Sequence, residues 1–187
     1  MRVIAGVAKG RRLRGPNVPS RRELASGTRP TSDLVRGAVF SALGSMNADL
    51  SRVLDVYAGS GALGIEALSR GAESCDFVER DASVCAIIRE NLRLTGFEDR
   101  ARVYCLSAQR APERLEGEYT LVLADPPYSE AGATRVIESI AASPLVRAGK
   151  TVLVLEHGAK DEPPGQFGSL ALHSVRRHGD SAVSIYR

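Results

Sequence analysis

A strand, a glycine turn and a helix follow one another in residues 52–66, and this stretch constrains the fold more than any other. Its sequence is RVLDVYAGSGALGIE. The apolar, β-branched start is typical of a buried parallel strand, and a good helix-forming run follows the glycines. Gly59 and Gly61 have no Cβ atom, so a ligand can approach the backbone, and the helix behind them begins with unpaired N–H groups. The stretch therefore predicts a nucleotide-binding turn.

The spacing of the glycines leaves the type of nucleotide open. The string GSGALG fits G-x-G-x-x-G, and Glu79 follows Gly59 by 20 residues, where dinucleotide-binding folds place an acid on a ribose. Asp55 argues against a dinucleotide, because a pyrophosphate gains nothing from a carboxylate so close to the first glycine. A cofactor with a sulfonium cation and an amino group, such as S-adenosyl-L-methionine, would gain from it. In the alternative interpretation, Asp55 only caps the turn.

A second motif ends the apolar run in residues 119–128, which read YTLVLADPPY. Two prolines cannot continue a central strand, so the chain must leave the sheet at Asp125. Pro126 and Pro127 also stiffen the loop that carries Asp125 and Tyr128. A carboxylate, a rigid backbone carbonyl and an aromatic face together suit a planar amine, because they offer hydrogen-bond acceptors for the NH₂ group and stacking for the ring.

Together these motifs resemble the amino-methyltransferases, which methylate exocyclic amines of nucleobases with S-adenosyl-L-methionine. Over nearly its whole length the chain resembles one branch of them, the bacterial 16S ribosomal RNA guanine-N2 methyltransferases of the RsmD family. The matching segments are MRVIAGVAKGRRLRGP, RPTSDLVRGAVFSAL, DVYAGSGALGIEALSRGA, FVERD, ADPPY and RRHGDSAVSIYR. The chain departs from the expected pattern at Tyr57, where Phe is usual, and at Ser107-Ala108, where Asn or Asp more often precedes Ala.

Alternating apolar runs and helical segments after residue 52 predict an α/β fold with a doubly wound parallel sheet. We expect Asp81 to cap the helix that follows it and Leu34 to lie on the apolar face of the helix before residue 45. Residues 158–169 are rich in Gly, Pro and charge and predict a loop, and the two apolar runs that flank residues 176–180 predict an antiparallel hairpin. The resemblance implies a Rossmann-like class I methyltransferase with a mostly parallel, seven-stranded sheet that ends in this hairpin. We expect residues 1–28 to form a basic β-hairpin and loop that contact RNA, and residues 29–187 to form the catalytic domain.

Methyl transfer to an amine assigns a role to each predicted site residue. We expect Asp125 and the Pro126 carbonyl to accept the amine N–H groups, Pro127 to stiffen their loop, and Tyr128 to stack on the base. Because doubly wound sheets bind ligands at the carboxyl ends of their strands, we expect the cofactor there. The predicted cofactor-binding residues are Asp55, Ala58, Gly59, Ser60, Gly61, Glu79, Arg80, Ser107, Ala108 and Asp125.

The charges of the chain are distributed unevenly. The formal net charge is +3, but residues 1–36 contain nine Lys or Arg and only two acidic residues, so the remainder is net negative. A basic arm on an acidic body suggests a polyanionic partner, here ribosomal RNA, the small ribosomal subunit or its assembly intermediate. The alternative is a solvated tail without a target. The predicted RNA-binding residues are Lys9, Arg11, Arg12, Arg14 and Arg29.

The composition favours a monomeric, cytoplasmic, globular protein. Hydrophobic residues make up 43% of the chain, but no apolar run is long enough for a membrane span. Cys75, Cys85 and Cys105 lack metal-ligand spacing, and we expect buried, reduced thiols and no metal.

Three other functions fit parts of the sequence. An adenine-N6 methyltransferase acting on DNA or RNA would use the same DPPY chemistry, although the chain has no separate target-recognition domain. An NAD-dependent oxidoreductase would need a substrate domain and a catalytic acid that the sequence does not offer. A non-catalytic RNA-binding protein would not need Asp125 or the glycine turn.

Overall fold

The computed structural model describes residues 1–15, 33–127 and 132–187, which form a mixed sheet flanked by helices. The described strands are β1 (Arg52–Val56), β2 (Ser74–Glu79), β3 (Ala101–Cys105), β4 (Leu121–Ala124), β5 (Val152–Gly158), β6 (Gln166–Phe167), β7 (Leu170–His178) and β8 (Ser181–Tyr186). The described helices are α1 (Asp33–Ser45), α2 (Ala62–Ser69), α3 (Ala82–Thr95), α4 (Ala111–Arg114) and α5 (Ala133–Ala141), with 3₁₀ turns at Glu98–Arg100 and Ala108–Arg110.

The described strands lie in the order β3-β2-β1-β4-β5-β8-β7-β6. Strands β1 to β5 are parallel, whereas β8 is antiparallel to both of its neighbours, β5 and β7. The chain first builds outward from β1 to β3 and then crosses to β4 on the other side of β1. The switch point therefore lies between β1 and β4, where open α/β sheets bind their ligands.

The predicted α/β sheet with an antiparallel end is confirmed. It has eight strands instead of seven, because Gln166–Phe167 adds a short strand beyond β7 in a segment expected to be a loop.

Two hydrophobic clusters cover the two faces of the sheet. Helices α1, α2 and α3 pack on one face and α4 and α5 on the other. Val3, Ala8 and Leu13 are buried in the first cluster, so the described part of the N-terminal segment lies against the main core. The boundary predicted between residues 28 and 29 lies outside the described residues.

The N-terminal segment does not contain the two strands that its sequence suggests. It forms one antiparallel bridge between Arg2 and Arg12, and backbone hydrogen bonds join Val3 to both Gly10 and Arg11. Residues 5–10 form bends and turns. The N–H groups of Ala5, Val7 and Ala8 bond to Glu66 and Ser69 of helix α2 instead of to a second strand, whereas those of Lys9 and Gly10 bond within the segment. The expected hairpin is thus reduced to a short, bridged turn.

One of two local predictions for the helices is confirmed. Asp81 caps α3 as predicted, since its carboxylate accepts the N–H groups of Ser83 and Val84. Leu34, expected on the apolar face of α1, is 73% exposed, because the buried stripe follows Val35 and Val39 instead.

The expectation of three buried thiols was wrong at one position. Cys75 and Cys85 are buried, but Cys105 is exposed because β3 is the edge strand of the sheet.

Candidate active site

The glycine turn between β1 and α2 is a sharp, partly left-handed bend. The Ala58 N–H bonds to the Val78 carbonyl at 3.0 Å, which extends the pairing of β1 with β2, and the Gly61 N–H closes the turn on the Ala58 carbonyl at 2.7 Å. The φ angles of Gly59 and Gly61 are +53° and +77°, and Tyr57 has a φ of +62°. A positive φ at a tyrosine is a strained conformation of the kind that clusters at functional sites.

The glycines of the motif serve different purposes. A Cβ atom on Gly59 would meet nothing closer than the Tyr57 carbonyl oxygen at 3.9 Å, so the backbone here faces open space. A Cβ atom on Gly64 would overlap the Phe77 ring and lie 2.7 Å from the Cys75 Sγ. Gly64 therefore lets α2 lie directly on β2, while Gly59 leaves room for a ligand at the turn.

Asp55 holds the first turn of α2. Its side chain is buried, and Oδ2 accepts the Gly64 N–H at 2.8 Å. Burial raises its pKa well above the ordinary value, and the nearby charges of Asp125 and Glu79 raise the pKa further, against the lowering effect of the Gly64 hydrogen bond. The capping alternative thus describes the observed contact, and a direct contact of Asp55 with the cofactor stays a prediction.

Glu79 ends β2 beside the glycine turn. Its carboxylate accepts the Gly59 N–H at 3.1 Å through Oε2 and the Asp81 N–H at 2.9 Å through Oε1. A carboxylate has about four lone-pair sites, so each oxygen can accept one more hydrogen bond. Glu79 therefore fixes the turn and still has acceptors that suit the hydroxyl groups of a ribose.

The DPPY motif begins where β4 ends. Ala124 pairs with Val56 of β1, so Asp125 follows directly at the switch point of the sheet. Asp125 and Pro127 are half-buried and Pro126 is buried. Tyr128 lies outside the described residues. Val56 pairs with Val78 of β2 and with Ala124 of β4, so the carboxylates of Asp55, Glu79 and Asp125 lie near one another at one edge of the sheet. The charges of Glu79 and Asp125 accordingly raise the pKa of Asp55.

The remaining predicted cofactor residues border the same edge. Ser107 is half-buried and precedes the 3₁₀ turn that contains the buried Ala108. The Leu106 N–H bonds to the Glu79 carbonyl at 2.9 Å, which holds this turn next to the end of β2. Arg80 is exposed and Ser60 is buried within the glycine turn.

Comparisons with known proteins agree with this geometry. The model of the family described as conserved hypothetical protein 95 matches residues 1–187. The chain is 35% identical to the putative rRNA methyltransferase YlbH of Bacillus subtilis (strain 168), over 100% of this chain and 98% of that protein. It is 30% identical to the ribosomal RNA small subunit methyltransferase D of Escherichia coli (strain K12), over 100% of this chain and 89% of that protein. The chain belongs to the RsmD family of methyltransferases.

The solved structure of a putative methyltransferase from Escherichia coli shares this fold. It aligns with a TM-score of 0.81 at 29% identity, over 100% of this chain and 96% of that one. The predicted family and the Rossmann-like methyltransferase fold are both confirmed.

In this RsmD-family chain, Glu66 of α2 joins the N-terminal segment to the catalytic fold. The side chain is fully buried, and its two oxygens accept the N–H groups of Ile4 at 2.8 Å and Ala5 at 3.0 Å. Arg70 donates to it at 2.8 Å, and the Nε of the fully buried Arg36 lies 3.7 Å away. The Arg36 guanidinium also donates to the Arg2 carbonyl oxygen at 2.6 Å.

Asn91 of α3 makes a second connection to the N-terminal segment. Its Oδ1 accepts the Arg14 N–H at 2.7 Å, and its Nδ2 donates to the carbonyl oxygens of Arg14 and Ser60, both at 2.9 Å. The Ser60 hydroxyl contacts the Met1 sulfur at 3.4 Å. Residues 1–15 therefore reach the glycine turn itself.

The predicted RNA-binding residues differ in how they are held. Arg11 donates to the Leu94 carbonyl oxygen at 2.6 Å, and Arg14 pairs with Glu90 at 3.1 Å. Lys9 and Arg12 are exposed, and their side chains have no ion pair or hydrogen bond with another residue in the described part of the chain. Arg29 lies outside the described residues. The N-terminal segment is thus packed against the fold and exposes the cations Lys9 and Arg12.

Sequence reasoning missed Glu66, Asn91 and the conformation of Tyr57. An acidic residue within an otherwise apolar helix was the available signal for Glu66, because such a residue needs a partner when it is buried. Asn91 gave no signal, since an asparagine on an amphipathic helix is normally solvated.

Two searches of the described residues gave negative results. None of the described helices has the length and apolar character that a membrane crossing requires. Within residues 1–15, 33–127 and 132–187, no three His, Cys, Asp or Glu side chains are grouped to hold a metal ion.

Proposed function

We propose that this chain methylates the exocyclic N2 amine of a guanine in 16S ribosomal RNA with S-adenosyl-L-methionine. The observation that carries the proposal is the convergence of Asp55, Glu79 and Asp125 on an open glycine turn at the switch point. The names of the two relatives support ribosomal RNA as the substrate, and the name of the Escherichia coli relative specifies the small subunit.

The residues of the turn fit S-adenosyl-L-methionine. The open space at Gly59 admits a ligand to the backbone, the spare acceptors of Glu79 suit ribose hydroxyls, and the negative charges of Glu79 and Asp125 suit a cation. Ser107 and Ala108 would border the adenine. The cofactor supplies a methyl group on a sulfonium, which is already activated for transfer, so the protein contributes mainly by positioning.

Asp125 and Pro126 would position the acceptor amine. The lone pair of the guanine N2 is delocalised into the ring, which makes the amine a poor nucleophile. Asp125 and the Pro126 carbonyl would each accept one N–H group, which turns the lone pair toward the methyl group. The S–CH₃ bond of the sulfonium would break as the new N–C bond forms, and the methylated amine would then lose a proton to Asp125 or to water. Tyr128 would stack on the base.

The basic N-terminal segment would hold the RNA backbone. Exposed Lys9 and Arg12 offer positive charge that described acidic residues do not neutralise, and phosphate contacts of this kind position a nucleic acid without reading its sequence.

The test is transfer of labelled methyl groups to undermethylated 30S subunits, naked 16S RNA and duplex DNA, followed by nucleoside digestion. N2-methylguanosine in the RNA is the expected product. N6-methyladenine in any substrate would instead support the adenine-N6 alternative. Absence of transfer to every substrate, with S-adenosyl-L-homocysteine binding intact, would refute the proposed acceptor.

An Asp125→Ala variant tests the role of the carboxylate. We expect transfer to fall by about a hundredfold or more, because orientation of the amine is lost, while the affinity for S-adenosyl-L-homocysteine stays nearly unchanged. Asp180→Ala removes an exposed carboxylate in the turn between β7 and β8 and serves as the control. Asp125 is also among the predicted cofactor-binding residues, and a large loss of cofactor binding in Asp125→Ala would mean that its main role is to hold the cofactor instead of the amine.

A further inference from the structure

We infer that Asn91 is a positioning residue that holds the glycine turn and the basic N-terminal segment in one arrangement, so that cofactor and RNA binding both depend on it. This inference rests on the proposed function. Asn91 lies outside both sets of predicted contact residues, and it would touch neither ligand. Its side chain is fully buried between the glycine turn and the N-terminal segment, the two elements that would contact the cofactor and the RNA.

A carboxamide matches the groups around Asn91. The side chain must accept one N–H, from Arg14, and donate to two carbonyl oxygens, those of Arg14 and Ser60. An asparagine has two donor hydrogens on Nδ2 and an acceptor oxygen, so one residue satisfies all three groups. The pair of bonds to Arg14 imitates the pairing of a neighbouring strand.

The position of these three bonds links the two predicted ligand sites. Ser60 lies between Gly59 and Gly61, so the bond to its carbonyl fixes the orientation of the turn. Arg14 is a predicted RNA-binding residue, and its side chain pairs with Glu90, the neighbour of Asn91 on α3. A second contact, between the Ser60 hydroxyl and the Met1 sulfur, joins the same turn to the start of the segment.

An Asn91→Asp variant separates this role from general packing. The substitution keeps the shape and the acceptor for the Arg14 N–H, but it places a carboxylate oxygen against two carbonyl oxygens. We expect the dissociation constants of S-adenosyl-L-homocysteine and of undermethylated 30S subunits each to rise by about tenfold or more, because the carbonyl oxygens of Ser60 and Arg14 both lose their donor. At saturating concentrations kcat should stay within about threefold of wild type, because Asp125 and Pro126 are unaffected.

Two control variants bracket the effect. Thr95→Val removes a buried hydroxyl of α3 whose bonds among the described residues go to the carbonyl oxygens of Asn91 and Leu92 in the same helix, and it should change neither dissociation constant. Glu90→Gln breaks the pair with Arg14 without reaching the glycine turn, so it should affect the 30S dissociation constant alone. All binding is measured well below the unfolding temperature of each variant.

The outcomes distinguish the inference from the proposed function. If wild type binds neither S-adenosyl-L-homocysteine nor 30S subunits, the proposed function fails and this inference fails with it. If wild type binds both and Asn91→Asp changes one or neither dissociation constant, only the inference is overturned. Should Asn91→Asp not fold, the wild-type chain supplies the test. Saturating S-adenosyl-L-homocysteine should then tighten 30S binding, because ordering one side of the carboxamide lowers the entropic cost of ordering the other. An equal 30S affinity with and without it would overturn the inference.

Discussion

Glu66→Ala should be among the most destabilising single substitutions in this chain. Glu66 and Arg36 are both fully buried, and removal of one partner of a buried ion pair costs about 3–5 kcal/mol when the remaining charge has no other partner. Arg36 would keep its 2.8 Å pair with Asp33, whose side chain is 46% exposed, so its charge would stay partly compensated. We therefore expect a loss in the lower part of that range, about 3–4 kcal/mol. The N–H groups of Ile4 and Ala5 also lose their acceptors, but both residues are partly exposed, so water can replace the lost bonds at little cost.

The loss is large relative to the whole stability of a domain, which is about 5–15 kcal/mol. Urea unfolding followed by circular dichroism measures it directly. With an m-value of about 2 kcal/mol/M, the unfolding midpoint should fall by about 2 M.

Two further variants make this reasoning refutable. Glu90→Ala breaks the pair with Arg14, whose side chain is 64% exposed, and should change the free energy of unfolding by less than about 1 kcal/mol. Adding Arg36→Met to Glu66→Ala removes the buried charge that Asp33 would compensate only in part, and it should recover part of the lost stability. If Glu66→Ala cost no more than Glu90→Ala, the buried pair would not stabilise the fold.

The remaining predictions concern pH and salt. Because its pKa is raised, Asp55 keeps a proton in the folded state that the unfolded chain releases above about pH 4, so its stabilising contribution is present at low pH and lost as pH rises. In an Asp55→Asn variant the side chain can still accept the Gly64 N–H but does not titrate. The free energy of unfolding of the variant, relative to that of wild type, should therefore grow from pH 4 to pH 7. Urea unfolding checks this, and a difference independent of pH would contradict it. Replacing Lys9 and Arg12 by Gln should make the dependence of log K for RNA binding on log salt shallower by about 1.5. The same change at Arg11 and Arg14, which already have partners in the structure, should have a smaller effect. Equal effects of the two double variants, or none, would contradict the assignment.

Short-range signals explain what the sequence predicted well. The glycine turn, the Asp81 cap and the alternation of strands and helices depend on neighbours a few residues away, and the structure contains all of them. The carboxylates of Asp55, Glu79 and Asp125 meet because parallel strands bring their carboxyl ends to one edge.

Long-range contacts explain what the sequence did not predict. Residues 1–15 have the composition of a hairpin, but four of their N–H groups donate to Glu66 and Ser69, more than 60 positions along the chain. The donors are Ile4, Ala5, Val7 and Ala8. No local sequence pattern indicates that a distant acceptor will replace the pairing of two neighbouring strands. The function of Asp55 in capping α2 was similarly one of two open interpretations, because only the packing of Gly64 on Phe77 brings that helix within reach.

The packing of residues 1–15 against α2 and α3 also determines when these residues can fold during synthesis of the chain. These residues are translated before the helices that bind them. The partner of Ile4, Glu66, follows it by 62 positions, and the partner of Arg14, Asn91, follows it by 77 positions. Contacts between such distant residues form late in folding, because a long loop must close first. Val3, Ala8 and Leu13 are therefore exposed on the nascent chain, together with its most basic residues, until α3 has emerged. The contact between the Ser60 hydroxyl of the glycine turn and Met1 can form only after both the turn and residues 1–15 are in place.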